Sequence, residues 1–394
     1  MNGDVALALD LEQVRQRARW TGFALVGVCA LGAILNLDQF FRSYLLAYLF
    51  WLGIALGCLP VMMLHHQSGG AWGLVIRRIL EAATRTLPMM ALWFLPIVIG
   101  ISRIYLWARP DAVAGDPVLE YKSPYLNVPF FVARAVLYFV AWNAIALTLN
   151  RWSLEQDRTG DVGLSRRMQV LSGAGIVVYG LTISFAAIDW VMSLDPHWFS
   201  TIFGMLWIAN QALNAFCFAI LALVALSDRP PLAAVLRKDI FQDLGGLLLA
   251  FVMVWTYLAF SQYLIIWAGN LAEEIPWYIR RSHGGWQWLG LAIIVFHFAL
   301  PFLALLSKDV KRRATSLAAV ALVVFVMRFV DLFWTVAPNF HEHGFFLHWM
   351  DVLLPVGLGG LWLAAFLGKV AERPLLPLND PYLPESLGHG IARG

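Results

Sequence analysis

Ten apolar stretches dominate this chain of 394 residues, each close to the roughly 20 residues that a helix needs to cross about 30 Å of hydrocarbon. They are Trp20–Leu37, Arg42–Leu64, Leu87–Trp107, Phe130–Leu149, Met168–Met192, Thr201–Leu226, Leu244–Trp267, Trp286–Leu306, Ala314–Val336 and Phe346–Leu367. The connections are too short to hold a soluble domain. The longest, between the third and fourth stretches, carries Pro110, Pro117, Pro124 and Pro129. Lipid offers the backbone no hydrogen bonds, so spans of this length are helices. The expected fold class is an all-α polytopic membrane protein with ten transmembrane helices over residues 20–370. An N-terminal segment at 1–19 and a C-terminal tail at 371–394 flank them.

Charge points the same way. Lys and Arg number 28 and Asp and Glu 25, together 13% of the chain, about half the roughly 25% of a soluble globular protein. A water-soluble enzyme is excluded. The net charge of +3, with no long basic block, leaves no face for nucleic acid. Cys29, Cys58 and Cys217 are each isolated in apolar sequence, so they form no covalent haem motif and no iron–sulfur or structural zinc set. They read as small buried hydrophobes. The first nineteen residues lack the apolar core and cleavage site of a signal peptide, so the first span is expected to persist in the mature protein.

Orientation follows from the basic residues. Twenty Lys and Arg residues fall on the connections of one side, against five on the other, namely Arg42, Arg109, Lys122, Arg280 and Arg281. The basic side stays in the cytoplasm. Both termini are expected there, with the loops at Asp111–Glu120, Asp195–His197, Glu273–His283 and His341–His343 outside. Trp20, Trp107, Trp190, Trp198, Trp267, Trp277, Trp286 and Trp349 sit at span ends, as an interfacial aromatic belt does.

Ionisable groups within a span are costly and therefore candidates for function. Projected on this topology they gather in the outer half: Arg103, Arg134, Asp189, the i, i+3 pair Arg328 and Asp331, and the i, i+3 pair His348 and Asp351, preceded by His341, Glu342 and His343. Each could be an internal ion pair that positions helices. Gathered on one side, they suit a proton route, since carboxylates and imidazoles titrate near neutral pH when their surroundings shift them. His297 is the only histidine near mid-membrane. With no facing imidazole a bis-histidine haem is not expected, and His297 reads as a satisfied core group or a deep relay member. Asn210, Gln211 and Asn214 in the sixth span, and Thr256, Tyr257, Ser261, Gln262 and Tyr263 in the seventh, read as inter-helix hydrogen-bonding groups.

Two outer stretches are unusual. In Asp189–Gly204, DWVMSLDPHWFSTIFG, Pro196 stops the fifth span and Asp195 can cap a short helix after it. Asp195 and His197 are candidate partner contacts. In Phe260–Glu274, FSQYLIIWAGNLAEE, a Gly-Asn break precedes Glu273 and Glu274, with Arg280 and Arg281 beyond. Either stretch suits a docking surface for an external partner or a mouth for a lipid-like headgroup.

These two stretches resemble signature segments in the integral-membrane subunits of alternative complex III, the bacterial quinol:cytochrome c (or high-potential iron–sulfur protein) oxidoreductase. Those subunits are themselves NrfD-like. Length and span count are similar to the second of them, the ActF type. The resemblance implies two four-helix bundles, roughly 42–192 and 201–336, with the first and tenth spans flanking. It implies a multi-pass subunit of the bacterial inner membrane that scaffolds the complex and contributes a proton path, a quinol contact, or both. It implies no catalytic residue and no metal or redox centre on this chain. The implied partners are a paralogous quinol-binding membrane subunit, multihaem and monohaem cytochromes c, an iron–sulfur protein, and membrane lipids. Haem c and iron–sulfur clusters would lie on those partners, with a quinone or quinol as the small ligand. On this reading Asp189, His297, Arg328, Asp331, His348 and Asp351 are the proton-path candidates. Arg103, Arg134, Asp195, His197, Gln262, Glu273 and Glu274 are the candidate quinone or partner contacts. Two rivals stand beside it: a secondary transporter, which also carries in-membrane charges, and a purely structural anchor.

Overall fold

The computed structural model describes residues 2–341, 344–377, 379–381 and 383, with side chains described from residue 11 onward. Glu342 and His343 lie outside the described residues. Every described element is helical, with no strand among the described residues. Ten long helices carry the architecture. They are α1 (Asn2–Gly32), α2 (Leu37–Ser68), α3 (Ala71–Thr84), α4 (Val128–Thr159), α5 (Gly163–Trp190), α6 (Phe203–Ala225), α7 (Lys238–Gly269), α8 (Trp286–Leu306), α9 (Ala314–Val336) and α10 (Met350–Ala371). Among the described residues nine segments are long and apolar enough to cross a membrane, α3 counting with its continuation to Ile99. The molecule is therefore a multi-pass membrane protein by length and composition. The exception is α1, which carries Arg15, Arg17 and Arg19 and ends at Gly32, so Leu37 belongs to α2 rather than to the first span.

Successive helices reverse direction, which gathers the connections at two ends. The loop end holds the turns around residues 104–127, 191–202, 270–285 and 337–349. The tail end holds the charged turns and the segment after α10. At the centre lies α2, buried on nearly every side, as a helix apolar all round must be. It packs on α3, α5, α6 and α10, while α6 packs on α2, α5, α7 and α9. The α2–α6 seam is tight because Gly57 lets the backbones meet: a Cβ there would sit 2.2 Å from the Gln211 carbonyl oxygen. Small residues serve the same purpose between α1 and α10, where Gly22 faces Gly360.

The third span departs from expectation. It begins at Ala71, not Leu87, so Arg77, Arg78, Glu81 and Arg85 lie inside the helical run rather than in a cytoplasmic loop. Beyond Thr84 the run breaks into short helices at Leu87–Leu92, Leu95–Ile99 and Ile101–Ile104, because Pro88 and Pro96 cannot donate to the ladder. Tyrosines of α2 serve the loosened carbonyls. Tyr48 donates to the Met90 oxygen at 2.9 Å and Tyr44 to the Trp93 oxygen at 2.8 Å. A second irregularity lies in α8, whose middle turn, Ile293–Ala299, is π-helical and carries His297.

Candidate functional site

At the loop end α4 and α5 bring Arg134 and Asp189 together. Arg134 Nε and Nη2 donate to the two Asp189 oxygens at 2.8 and 2.9 Å, and the Tyr138 hydroxyl adds a third bond at 2.9 Å. The guanidinium also donates to the Tyr125 carbonyl at 3.0 Å and lies over the Tyr125 and Phe130 rings. Asp189 is 0% exposed. A buried carboxylate with a forked guanidinium and a phenol is a satisfied group, and its partners all come from α4 and α5.

A second cluster joins α2 to α10. Asp351, in the first turn of α10, accepts from Ser43 Oγ at 2.6 Å and Gln39 Nε2 at 3.1 Å. Its other oxygen accepts the His348 backbone N–H at 2.9 Å, much as a capping box does. Arg42 and His341 face Asp351 across a small cavity, with Phe333 and Phe340 among its walls. Burial and the nearby Arg42 charge hold the His341 imidazole below its usual range.

The third cluster is deeper. Arg328 Nη1 donates to Asp331 at 2.5 Å, the expected i, i+3 pair on α9. Arg328 is also the charge that reaches His297. His297 is 0% exposed, lies 4.0 Å from the Trp255 ring centre edge-on, and neither ring nitrogen has a hydrogen-bond partner. The π-turn thus carries an imidazole with no protein partner on either nitrogen. Arg328 Nε and the side-chain oxygens of Asn210 and Asn214 are likewise buried and unpartnered, whereas Gln211 accepts from the Tyr179 hydroxyl at 2.9 Å. Buried groups left open like this are served by water in most proteins.

Above these clusters opens a vestibule of about 850 Å³. Arg42, Arg103, Arg109, Arg280, Asp195, His197 and His341 line it, with Phe340, Phe345 and Phe346 as apolar wall. Arg103 pairs with Asp38 at 2.6 Å and Arg280 with Asp195 at 3.2 Å. Asp195 caps no helix, since a 3-10 turn, Met192–Leu194, precedes it and irregular chain follows; its carboxylate is used by Arg280 instead. His197 bonds Asp116 at 2.6 Å, across to the loop between the third and fourth spans. The remaining candidates hold the rim in shape. Gln262 accepts from Ser200 at 3.0 Å, and Trp198 stacks on Trp277 at 4.9 Å. Arg281 donates to the carbonyls of Trp277, Trp334 and Thr335, tying the rim to the end of α9. Burial pushes the Tyr278 phenol up to about 12. Asn270 takes the left-handed conformation that ends α7, as the Gly-Asn break suggests, and Glu273 stands exposed beyond it. Among the described residues neither Glu273 nor Glu274 forms an ion pair.

A network at the tail end was not legible as a site. Glu81 accepts from Arg77 at 2.9 Å, Arg78 at 2.5 Å, Ser153 at 2.6 Å and Arg373 at 3.2 Å. Asp380 closes it from the tail, 2.5 Å from Arg77, and Asp157 takes the other side of Arg78. His65 and His66 flank this network from α2, each with one buried ring nitrogen unpartnered. Three charges within five residues masked the helix in the hydropathy pattern, although their i, i+3 and i, i+4 spacing was the available signal.

Among the described residues no group of three or more His, Cys, Asp and Glu is placed to hold a metal ion. No protein-family model matches the chain, and no curated protein matches it.

Proposed function

We propose that this chain is an integral-membrane subunit of a bacterial respiratory quinol:cytochrome c, or quinol:high-potential iron–sulfur protein, oxidoreductase. In this reading it scaffolds the complex and offers a proton path, while haem and iron–sulfur clusters sit on partner subunits and quinol is oxidised with the paralogous membrane subunit. All ten long helices span, α1 included, with both termini in the cytoplasm and the loop end outside. Helices α2–α5 and α6–α9 form the two four-helix units, and α1 with α10 flanks them. The family assignment rests on the two loop-end segments quoted above.

The observation that supports the proton path is the set of buried, unpartnered polar atoms in the second unit. His297 on its π-turn, Arg328 Nε and the Asn210 and Asn214 oxygens are buried without partners, and Arg328 leads on to Asp331. Water beside these atoms would supply the missing bonds and a route for protons. Asp189, by contrast, is locked by Arg134 and Tyr138, and we assign it to structure rather than to the path. Asp351, held by Ser43, Gln39 and the His348 amide, staples α2 to α10.

A transporter would place interrupted helices at matching positions of its two halves. The interrupted helices here are α3 and α8, second in one unit and third in the other, which favours the subunit reading.

Purification in mild detergent through a tag on the C-terminus tests the assignment. Co-purifying c-type haem and an iron–sulfur protein are expected; a haem-free chain running alone sinks it. Within the intact complex, Asp331→Asn and His297→Phe are expected to lower the proton-to-electron ratio or slow turnover while assembly survives. An unchanged ratio and rate would remove both residues from the path.

A further inference from the structure

We infer that the loop-end vestibule is a phosphate-recognition site that seats the headgroup of an anionic phospholipid. Four arginines line the cleft, and two of them, Arg103 and Arg280, are matched by Asp38 and Asp195. Arg42 and Arg109 have no carboxylate partner among the described residues. Arg109 Nε donates to the Ser102 carbonyl at 2.6 Å and Nη2 reaches the Arg103 carbonyl at 3.5 Å, which leaves Nη1 for another acceptor. Arg42 lies flat over Phe340 at 5.0 Å with Nε buried and unpartnered. Its guanidinium thus rests on an aromatic ring and is not neutralised by a carboxylate among the described residues.

Two guanidinium groups lining one cleft suit a phosphate, whose oxygens accept planar paired donors. The cleft's volume of about 850 Å³ is within the roughly 300–1,000 Å³ of small-molecule pockets, far more than a free phosphate fills. Depth and surroundings select the lipid. Arg42 sits just over one turn inside α2, at the level where headgroups meet the hydrocarbon. The strand of chain beside it presents Phe345, Phe346, Leu347 and Trp349, each 42–50% exposed, as an apolar rim for acyl chains. Basic pockets between transmembrane helices bind anionic headgroups on the cytoplasmic side of membranes, and this cleft offers the same donors at the loop end. Among the described residues the one carboxylate lining the cleft, Asp195, is already engaged by Arg280, and this favours an anionic over a zwitterionic headgroup. The inference does not depend on which complex the chain belongs to.

Lipid retention tests it, on the protein purified in mild detergent in whatever assembly leaves the membrane. Native mass spectrometry is expected to find phosphatidylglycerol or cardiolipin on the unaltered chain. The double variant Arg42→Gln/Arg109→Gln should retain at least tenfold less, and Arg167→Gln, an exposed change at the tail end, should retain as much as the unaltered chain. After delipidation, short-chain phosphatidylglycerol should raise Tm of the unaltered protein and leave the double variant unmoved. Equal retention by the double variant, or an equal Tm rise with phosphatidylcholine, overturns the inference. A Tm rise reproduced by millimolar inorganic phosphate assigns the cleft to a soluble phosphoryl ligand and overturns the lipid. If the double variant fails to fold, Arg42→Lys/Arg109→Lys keeps both charges and loses the forks. It should bind several-fold more weakly, and unchanged affinity there overturns the role of the guanidinium pair.

Discussion

Asp189 and Asp331 are both carboxylates beside an arginine near the loop end, yet their surroundings give them different prospects. Both Asp189 oxygens are bonded and the side chain is 0% exposed, so losing its partner strands a charge in a dry site. Arg134→Met is therefore expected to destabilise the protein by about 3–5 kcal/mol, read as a lost folded yield or a large drop in Tm. Tyr138→Phe removes one of three bonds and should cost about 1 kcal/mol. At the rim, Asp116 answers to pH. Slight burial raises its carboxyl, but the amides of Leu119 and Val118 and the His197 ring together hold it below the ordinary carboxylate range. A depressed carboxyl stabilises the fold above its unfolded value and loses that contribution as pH falls through the folded one. The protection of the Val118 and Leu119 amides, after correction for the intrinsic pH dependence of amide exchange, should accordingly hold at neutral pH and fall below about pH 4.

Among the helices, hydrophobic length disclosed nine of the segments, because nothing in lipid competes with that signal. Their ends were less legible. Apolar counting stopped the fourth span at Leu149 and began the seventh at Leu244, while α4 runs on to Thr159 and α7 starts at Lys238. Polar turns extend a helix past the apolar window without adding hydropathy. The third span was misplaced for a related reason: Arg77, Arg78 and Glu81 cancel one another's charge in space but count against the helix in sequence. The loop-end pairs Arg328–Asp331 and His348–Asp351 were visible through i, i+3 spacing. The vestibule was not, since it joins loops far apart in the chain. Close packing was equally hidden. Gly57→Val would drive a side chain into the Gln211 carbonyl and should cost at least 1–3 kcal/mol of thermal stability. Gly53→Ala, whose added Cβ meets its nearest neighbour at 3.8 Å, should be tolerated. Equal Tm values for the two variants would mean that α2 and α6 do not meet this closely.

Taken as a whole, the molecule places two helices of the same direction, α2 and α6, back to back at its centre. Each begins a run of four that alternates up and down, and α10 returns along α2 to meet α1. The segment after α10 then reaches the tail-end network, where Asp380 meets Arg77 across 303 positions of sequence. Asp380→Asn removes the negative charge that faces Arg77 and should lower Tm by several degrees, with the loop-end clusters unaffected. That long separation has a meaning in time as well as in space. A ribosome delivers Arg77 and Arg78 to the membrane early and their tail carboxylate only after nearly the whole chain has emerged. Until that segment is made, Arg77 lacks the Asp380 carboxylate and Glu81 lacks the Arg373 guanidinium, so the network stands open on its tail side. The segment after α10 thus closes the tail-end network last, and a chain stopped at Ala371 should be cleared by membrane proteases faster than one that retains Asp380 in a pulse-chase experiment.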